Sequence, residues 1–169
     1  IKKIYKKMNI IFMRHGEAED NVSELLSSNL LRCSTLTQNG KQQVIDSANL
    51  LEQVDKIYVS PLIRTLQTAK IVAENQKNKI DINIDDRIRE INWGRYDGQT
   101  NNTYLDEVRT KQSNGDYFVR FGDYGENKFN IESRLVDFLS GIFKDNVNNN
   151  NILIVAHGTV ISFMKRILQ

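Results

Sequence analysis

Asn9-Ile-Ile-Phe-Met13 runs directly into Arg14-His15-Gly16, and Ile152-Leu-Ile-Val-Ala156 runs into His157-Gly158. Each run is short and almost wholly apolar, the pattern of a strand covered on both faces. Each ends at a histidine followed by glycine, and these are the only two histidines in the chain. Lys56-Ile-Tyr-Val59 reads as another buried strand, stopped by Ser60 and Pro61, with Pro61 suited to the first turn of a helix that runs through Ala73. Residues 80–84 alternate apolar with polar, as an edge or half-covered strand does.

The segments between the strands carry helical periodicity. Residues 37–54 place Val44, Ala48 and Leu51 on one face, with Thr37 positioned as cap. Residues 101–111 read as helical, and residues 130–144 set Ile131, Leu135, Phe138, Leu139 and Ile142 on one stripe. Residues 158–168 close the chain as a helix. Strands alternating with helices predict an α/β fold of three αβα layers around a mainly parallel central sheet. Ligands of such sheets bind beyond the carboxyl ends of the strands, which is where Arg14, His15, Arg64 and His157 fall.

Composition narrows the function classes. With 169 residues and 40% hydrophobic content, the chain suits a single domain spanning residues 1–169. The net charge is +2, but four lysines sit in residues 1–7 and the remainder is slightly acidic, so nucleic-acid binding is not expected. No apolar run has the length to span a bilayer, and no membrane association is expected. The single cysteine, Cys33, cannot form an internal disulfide, which fits a reducing, cytoplasmic setting. Residues 1–7 read as a flexible lead ahead of Met8, a plausible native start. Asn148–Asn151 reads as a solvated loop.

Each chemistry-bearing residue has an ordinary structural reading by itself, and the weight lies in convergence. A histidine at a strand end with glycine after it brings its ring to the sheet's rim while the following amides approach a ligand. Arg64 lies one turn into the helix after the second strand, where a planar guanidinium can bind two oxygens of a phosphate. Two arginines, two histidines and helix amino ends directed at one point make a cationic pocket that calls for an anion, and phosphate is its natural occupant. Cys33 lies in a polar stretch and no serine sits in a recognisable nucleophile elbow, so imidazole is the attacking group. The best general acid is Glu90, in Arg87-Ile-Arg-Glu-Ile-Asn-Trp-Gly-Arg-Tyr-Asp-Gly, where Trp93 can help desolvate it. A surface glutamate paired with Arg87 or Arg89 is the equal alternative on residues alone.

These residues resemble the histidine phosphatase superfamily, in its phosphoglycerate mutase-like branch. The similarity runs over residues 10–161. Its motifs appear as Arg14-His15-Gly16-Glu17 with Asn21; as Leu36, Thr37 and Gly40; as Ser60, Leu62, Arg64, Gln67, Thr68 and Ala69; as Glu90, Gly94 and Gly98; as Gly125 and Glu126 with Arg134; and as Ala156, His157 and Gly158. Asn127 stands where serine is usual, and Thr159 where a second glycine is frequent. The resemblance implies His15 as nucleophile, Glu90 as proton donor, and Arg14, Arg64 and His157 as the phosphate pocket. It further implies substrate contacts from Asn21, Gly16 and Thr159. It implies a phosphatase working through a phosphohistidine, without metal or cofactor, on a small phosphorylated metabolite.

The acid-phosphatase branch resembles this chain less, because the position after the second histidine is Gly158 and not aspartate. Glycolytic mutases carry an insertion and a basic, aromatic stretch after the acid motif, where this chain has Gln99-Thr-Asn-Asn, so hydrolysis is expected over phosphotransfer. A non-catalytic phosphate-binding module is the third reading. The substrate and the oligomeric state, a homodimer among the options, are not legible. The chain stops at Gln169, where many relatives continue, and both a minimal member and a trimmed form fit.

Overall fold

The structure, a computed structural model, describes residues 8–100, 103–145 and 151–169. The expected lead at residues 1–7 and most of the asparagine run lie outside them. Asn151 itself opens a strand, pairing with Asn9, and so departs from the loop expected for it.

Four strands form one all-parallel sheet: β1 (Asn9–Arg14), β2 (Lys56–Val59), β3 (Ile82–Ile84) and β4 (Asn151–Ala156), in the order β1-β4-β2-β3. The helices are α1 (Glu19–Val22), α2 (Gln38–Asn49), α3 (Ile63–Glu74), α4 (Thr103–Ser113), α5 (Lys128–Asp145) and α6 (Gly158–Ile167). The all-parallel sheet with its helices bears out the α/β class. Among the described residues, no helix is long and apolar enough to cross a membrane.

β4 explains the layering. Ile152 and Ile154 point into a cluster with Ile131, Leu135 and Phe138 of α5 and Val160 and Met164 of α6. Leu153 and Val155 point into another with Val44 and Ala48 of α2 and Ala69 and Val72 of α3. A strand buried on both faces has to be apolar at every position, which is why its sequence does not alternate. The five residues of the α5 stripe are all buried.

Register sets the site. Arg14 pairs with Ala156, and Val59 with Val155, so β1, β4 and β2 end at one level. Pairing continues one residue further, with the His15 amide donating to Ala156 O at 3.1 Å and the Ser60 amide to Val155 O at 3.1 Å. His15, His157 and Ser60 therefore leave the same rim side by side.

Several boundaries differ from the sequence reading. Thr37 caps α2 as expected, accepting from the Gly40 amide at 2.9 Å, but the helix ends at Asn49, before Leu51. Pro61 lies outside α3, whose N-cap is Leu62. α5 begins at Lys128 because Asn127 Oδ1 accepts from the Asn130 amide at 2.8 Å. Asparagine thus does the capping work of the serine it replaces. In β3, Ile82 and Ile84 share the face of Ile57 and Val59 but are 40% and 62% exposed, while Asn83 is half-buried. The edge strand lies beyond the cover of α3, so its alternation does not mark a core face.

Candidate active site

Beyond the sheet's rim a cavity of about 180 Å³ is lined by Arg14, His15, Asn21, Arg64, Glu90 and Thr159, all anticipated from sequence as is Trp93 beside Glu90, and by Asp20, Ser27 and Arg109, which were not. His157, fully buried, is not among the lining residues and lies behind them, bonded to Arg64 and Ser60. The two imidazoles meet edge-on, with centroids 5.2 Å apart.

Arg64 is the hub. Only 3% exposed, its Nε donates to His15 Nε2 at 3.1 Å and its amino groups to Ser27 O at 2.7 Å, Ser27 Oγ at 3.3 Å and His157 Nδ1 at 3.3 Å. Every one of these acceptors is neutral. Among the described residues no carboxylate forms an ion pair with Arg64 or with the exposed Arg14. Burial works against the Arg64 charge and lowers its pKa, opposed by the more distant Glu90, Asp20 and Asp97.

Because arginine can only donate, its contacts assign the tautomers. His15 Nε2 is the acceptor, so Nδ1 carries the proton and donates to Gly16 O at 2.7 Å. His157 Nδ1 is the acceptor, so its Nε2 donates to Ser60 Oγ at 2.7 Å. Burial, with Arg64 and Arg14 beside it, pushes the His15 pKa down to about 3 against the smaller lift from Gly16. Burial, Arg64 and His15 hold His157 well below the usual imidazole range. Both rings are therefore neutral at pH 7, and the Nε2 lone pair of His15, at the edge of the cavity, is held by the Arg64 Nε–H until a ligand draws that guanidinium away.

Glu90 takes neither of the arginine partners that sequence offered. Arg87 pairs with Asp85 and Asp137, and Arg89 with Asp86. The Glu90 side chain is 13% exposed, with Oε2 at 3.8 Å from His157 Nδ1 and Oε1 accepting from the Ile91 amide at 2.9 Å. Burial raises its pKa, only partly offset by that bond and by Arg64, Arg134 and Arg14. The segment is held on both sides. Arg134 bonds Arg87 O at 2.5 Å and both Glu126 oxygens, at 2.7 and 3.0 Å, while Glu126 Oε2 accepts from the Asn92 amide at 2.9 Å.

Gly16 lies behind the cavity. Its amide donates to Thr68 Oγ1 at 3.3 Å, and a Cβ there would stand 2.3 Å from Gly40 O. Gly40 is equally tight, with a Cβ placed 2.0 Å from Glu17 O. The amide expected to contact substrate is bonded to Thr68 in this structure, and the residue also serves close packing. Asn21 faces the cavity, but its Oδ1 accepts from the Ala18 amide at 2.9 Å, so its NH₂ is the group left for a ligand.

Of the residues that sequence reasoning missed as site members, Ser60 was accessible, because it follows β2 as the histidines follow β1 and β4. Ser27 and Arg109 had no local signal. Ser27 sits in a non-periodic loop tied to residues far along the chain, through Ser28 on Asp97 and Leu26 on Gln99 and Gly98.

A family profile described as histidine phosphatase superfamily (branch 1) matches residues 10–169. The chain belongs to that superfamily. Among solved structures it is similar to a putative alpha-ribazole-5′-P phosphatase from Escherichia coli, with TM-score 0.80 and 23% identity over 96% of this chain and 79% of that one. It is also similar to a phosphoserine phosphatase from Entamoeba histolytica solved with 3-phosphoglyceric acid, with TM-score 0.74 and 28% identity over 91% and 76% of the two chains. A mycobacterial glucosyl-3-phosphoglycerate phosphatase solved with VO3 gives TM-score 0.76 and 20% identity over 94% and 80%. No curated protein matches the chain in sequence.

Proposed function

We propose that the chain hydrolyses phosphomonoesters through a phosphohistidine on His15, with Glu90 as general acid. The observation that carries this reading is the buried Arg64 guanidinium, held among the described residues by neutral acceptors alone, beside Arg14, which no described carboxylate pairs, and a neutral His15. A phosphate dianion supplies the charge this group lacks, and its three equatorial oxygens match Arg14, Arg64 and His157.

His15 Nε2 forms a bond to phosphorus as the ester P–O bond breaks, and Glu90 gives its proton to the departing oxygen, releasing the alcohol. Gly16 O keeps the ring oriented throughout. Phosphate arriving at His157 favours a proton on Nδ1, which turns that nitrogen from acceptor to donor. Water then attacks phosphorus, the Glu90 carboxylate takes its proton, and the P–N bond breaks to give inorganic phosphate and the starting enzyme.

The three solved relatives named above are each described as phosphatases, which supports hydrolysis over transfer to a second hydroxyl. The substrate is a small phosphorylated metabolite, and the cytoplasm is the compartment that fits one exposed, free cysteine. The test is phosphate release from para-nitrophenyl phosphate together with alkaline detergent quench of the enzyme on a labelled phosphoester. Acid-labile, base-stable label on wild-type protein, missing from a folded His15→Ala variant that has lost turnover, is the expected result. Undiminished turnover in that variant refutes the nucleophile assignment, and binding of vanadate without hydrolysis of any ester favours a phosphate-binding module.

A further inference from the structure

A second cavity, of about 300 Å³, adjoins the reaction centre. Its floor is aromatic, with Trp93, Phe121 and Phe163 only 4%, 3% and 7% exposed. Trp93 and Phe121 pack edge-to-face at 5.0 Å. Its rim carries Arg109, Lys128 and Arg166, and no carboxylate among the described residues lines it.

The two cavities adjoin through shared walls. Trp93, Arg109 and Thr159 line both. A recess of about 370 Å³ that reaches Arg14 and Glu90 shares Thr159, Phe163 and Arg166 with the second cavity. Glu90 donates to the leaving oxygen, so the space extending from Glu90 receives the leaving group.

The rim cations are available to a ligand. Arg109 meets Asp106 at 3.3 Å, with both side chains well exposed, while Lys128 meets Glu132 only at 4.0 Å and lies 4.0 Å over the Tyr117 ring. Pairs of that kind are weak and readily give way. Arg166 has no carboxylate partner among the described residues and lies 4.3 Å over the Phe163 ring, which aims it along the apolar floor. The larger cavity on the other side of Glu90, about 500 Å³, suits an anion less. Asp97 lines it, and its Arg89 and Arg95 are paired with Asp86 and Asp123.

We propose that this cavity is a leaving-group subsite, selecting phosphomonoesters whose organic part has a flat or apolar body and a second anionic group, carboxylate or phosphate, bound by Arg109, Lys128 and Arg166 over Trp93 and Phe163. The proposal rests on the phosphatase reading. It assigns to side chains of α4, α5 and α6 a substrate preference that the phosphate pocket cannot express.

The test compares meta-(carboxymethyl)phenyl phosphate with its methyl ester, near-isosteres that differ in one charge, and with a phosphonomethyl counterpart. Wild-type enzyme should prefer a charged tail by about tenfold or more in kcat/KM, the scale of one charge-assisted hydrogen bond. The better of the two charged tails identifies the natural anion. In the Arg166→Gln/Lys128→Gln double variant the preference should vanish, mainly through KM. Equal rates on charged and neutral tails in wild type, or a preference that survives in the double variant, overturns the subsite while leaving the phosphatase reading intact. Hydrolysis of none of the three esters overturns that reading and the subsite with it.

Discussion

Acidification should unfold this protein over a range set by its two buried histidines. In the unfolded chain an imidazole takes up a proton as pH falls through about 6.5, whereas in the native state His15 stays neutral down to about 3 and His157 is also held well below the ordinary value. A group whose folded pKa is depressed gives stability that is complete above the unfolded pKa and declines below it. Each such group changes unfolding free energy by about 1.4 kcal/mol per pH unit, so the pair contributes roughly 2.7 kcal/mol per unit. Glu90 acts in the opposite sense. Its raised folded pKa lets the native state keep a proton that the unfolded carboxyl releases above 4.5, and this subtracts up to about 1.4 kcal/mol per unit from the slope. Because the unfolded imidazoles are only half protonated at pH 6.5, the net loss between pH 6.5 and 5 comes to roughly 1.5–3 kcal/mol, a sizeable part of the ~5–15 kcal/mol that holds a typical domain folded. Urea unfolding from pH 8 to 5 in phosphate-free buffer measures it. His15→Gln should flatten the dependence by about 1.4 kcal/mol per unit, and a saturating oxyanion that raises both histidine pKa values should flatten it further. A His15→Gln variant with the wild-type slope, or wild-type stability that peaks at pH 5, would refute the claim that these rings are buried neutral.

Glu90→Gln should slow alkyl phosphates by about 10²–10⁴-fold and para-nitrophenyl phosphate far less, because only the poor leaving group needs the proton; equal losses on both would make Glu90 a positioning residue. Arg134→Met should cost about 3–5 kcal/mol in urea unfolding, since it strands the Glu126 carboxylate, 10% exposed, without its cation. Adding Glu126→Gln to that variant should restore much of the loss, and a double variant no more stable than the single would show that the ion pair is not the source.

The parts of this molecule that could be read from sequence are those in which one physical demand acts along a continuous stretch. β1, β2 and β4 are apolar because the sheet is covered there, and α5 shows its stripe because one face meets the sheet. The rim rule then places Arg14, His15, Arg64 and His157 together without any contact being known. What could not be read depends on partners distant in sequence. Whether Ile82 and Ile84 are covered depends on the reach of α3, and Glu90 is buried because Arg87 and Arg89 are engaged by Asp85, Asp137 and Asp86. Ser27 meets Arg64 across 37 positions, and Arg109 arrives on α4 with no motif to announce it. That Gly16 also packs too tightly against Gly40 for any side chain is another such long-range fact.

That contact between Gly16 and Gly40 has a mechanical meaning. Main chain rests on main chain where β1 exits toward the helical layer, flanked by the Val44 methyl. The seat of His15 is thus as stiff as the sheet itself and is insulated from repacking elsewhere in the core. A single methyl group at either position would act as a wedge, levering the imidazole away from Arg64 while leaving every polar residue of the pocket chemically intact.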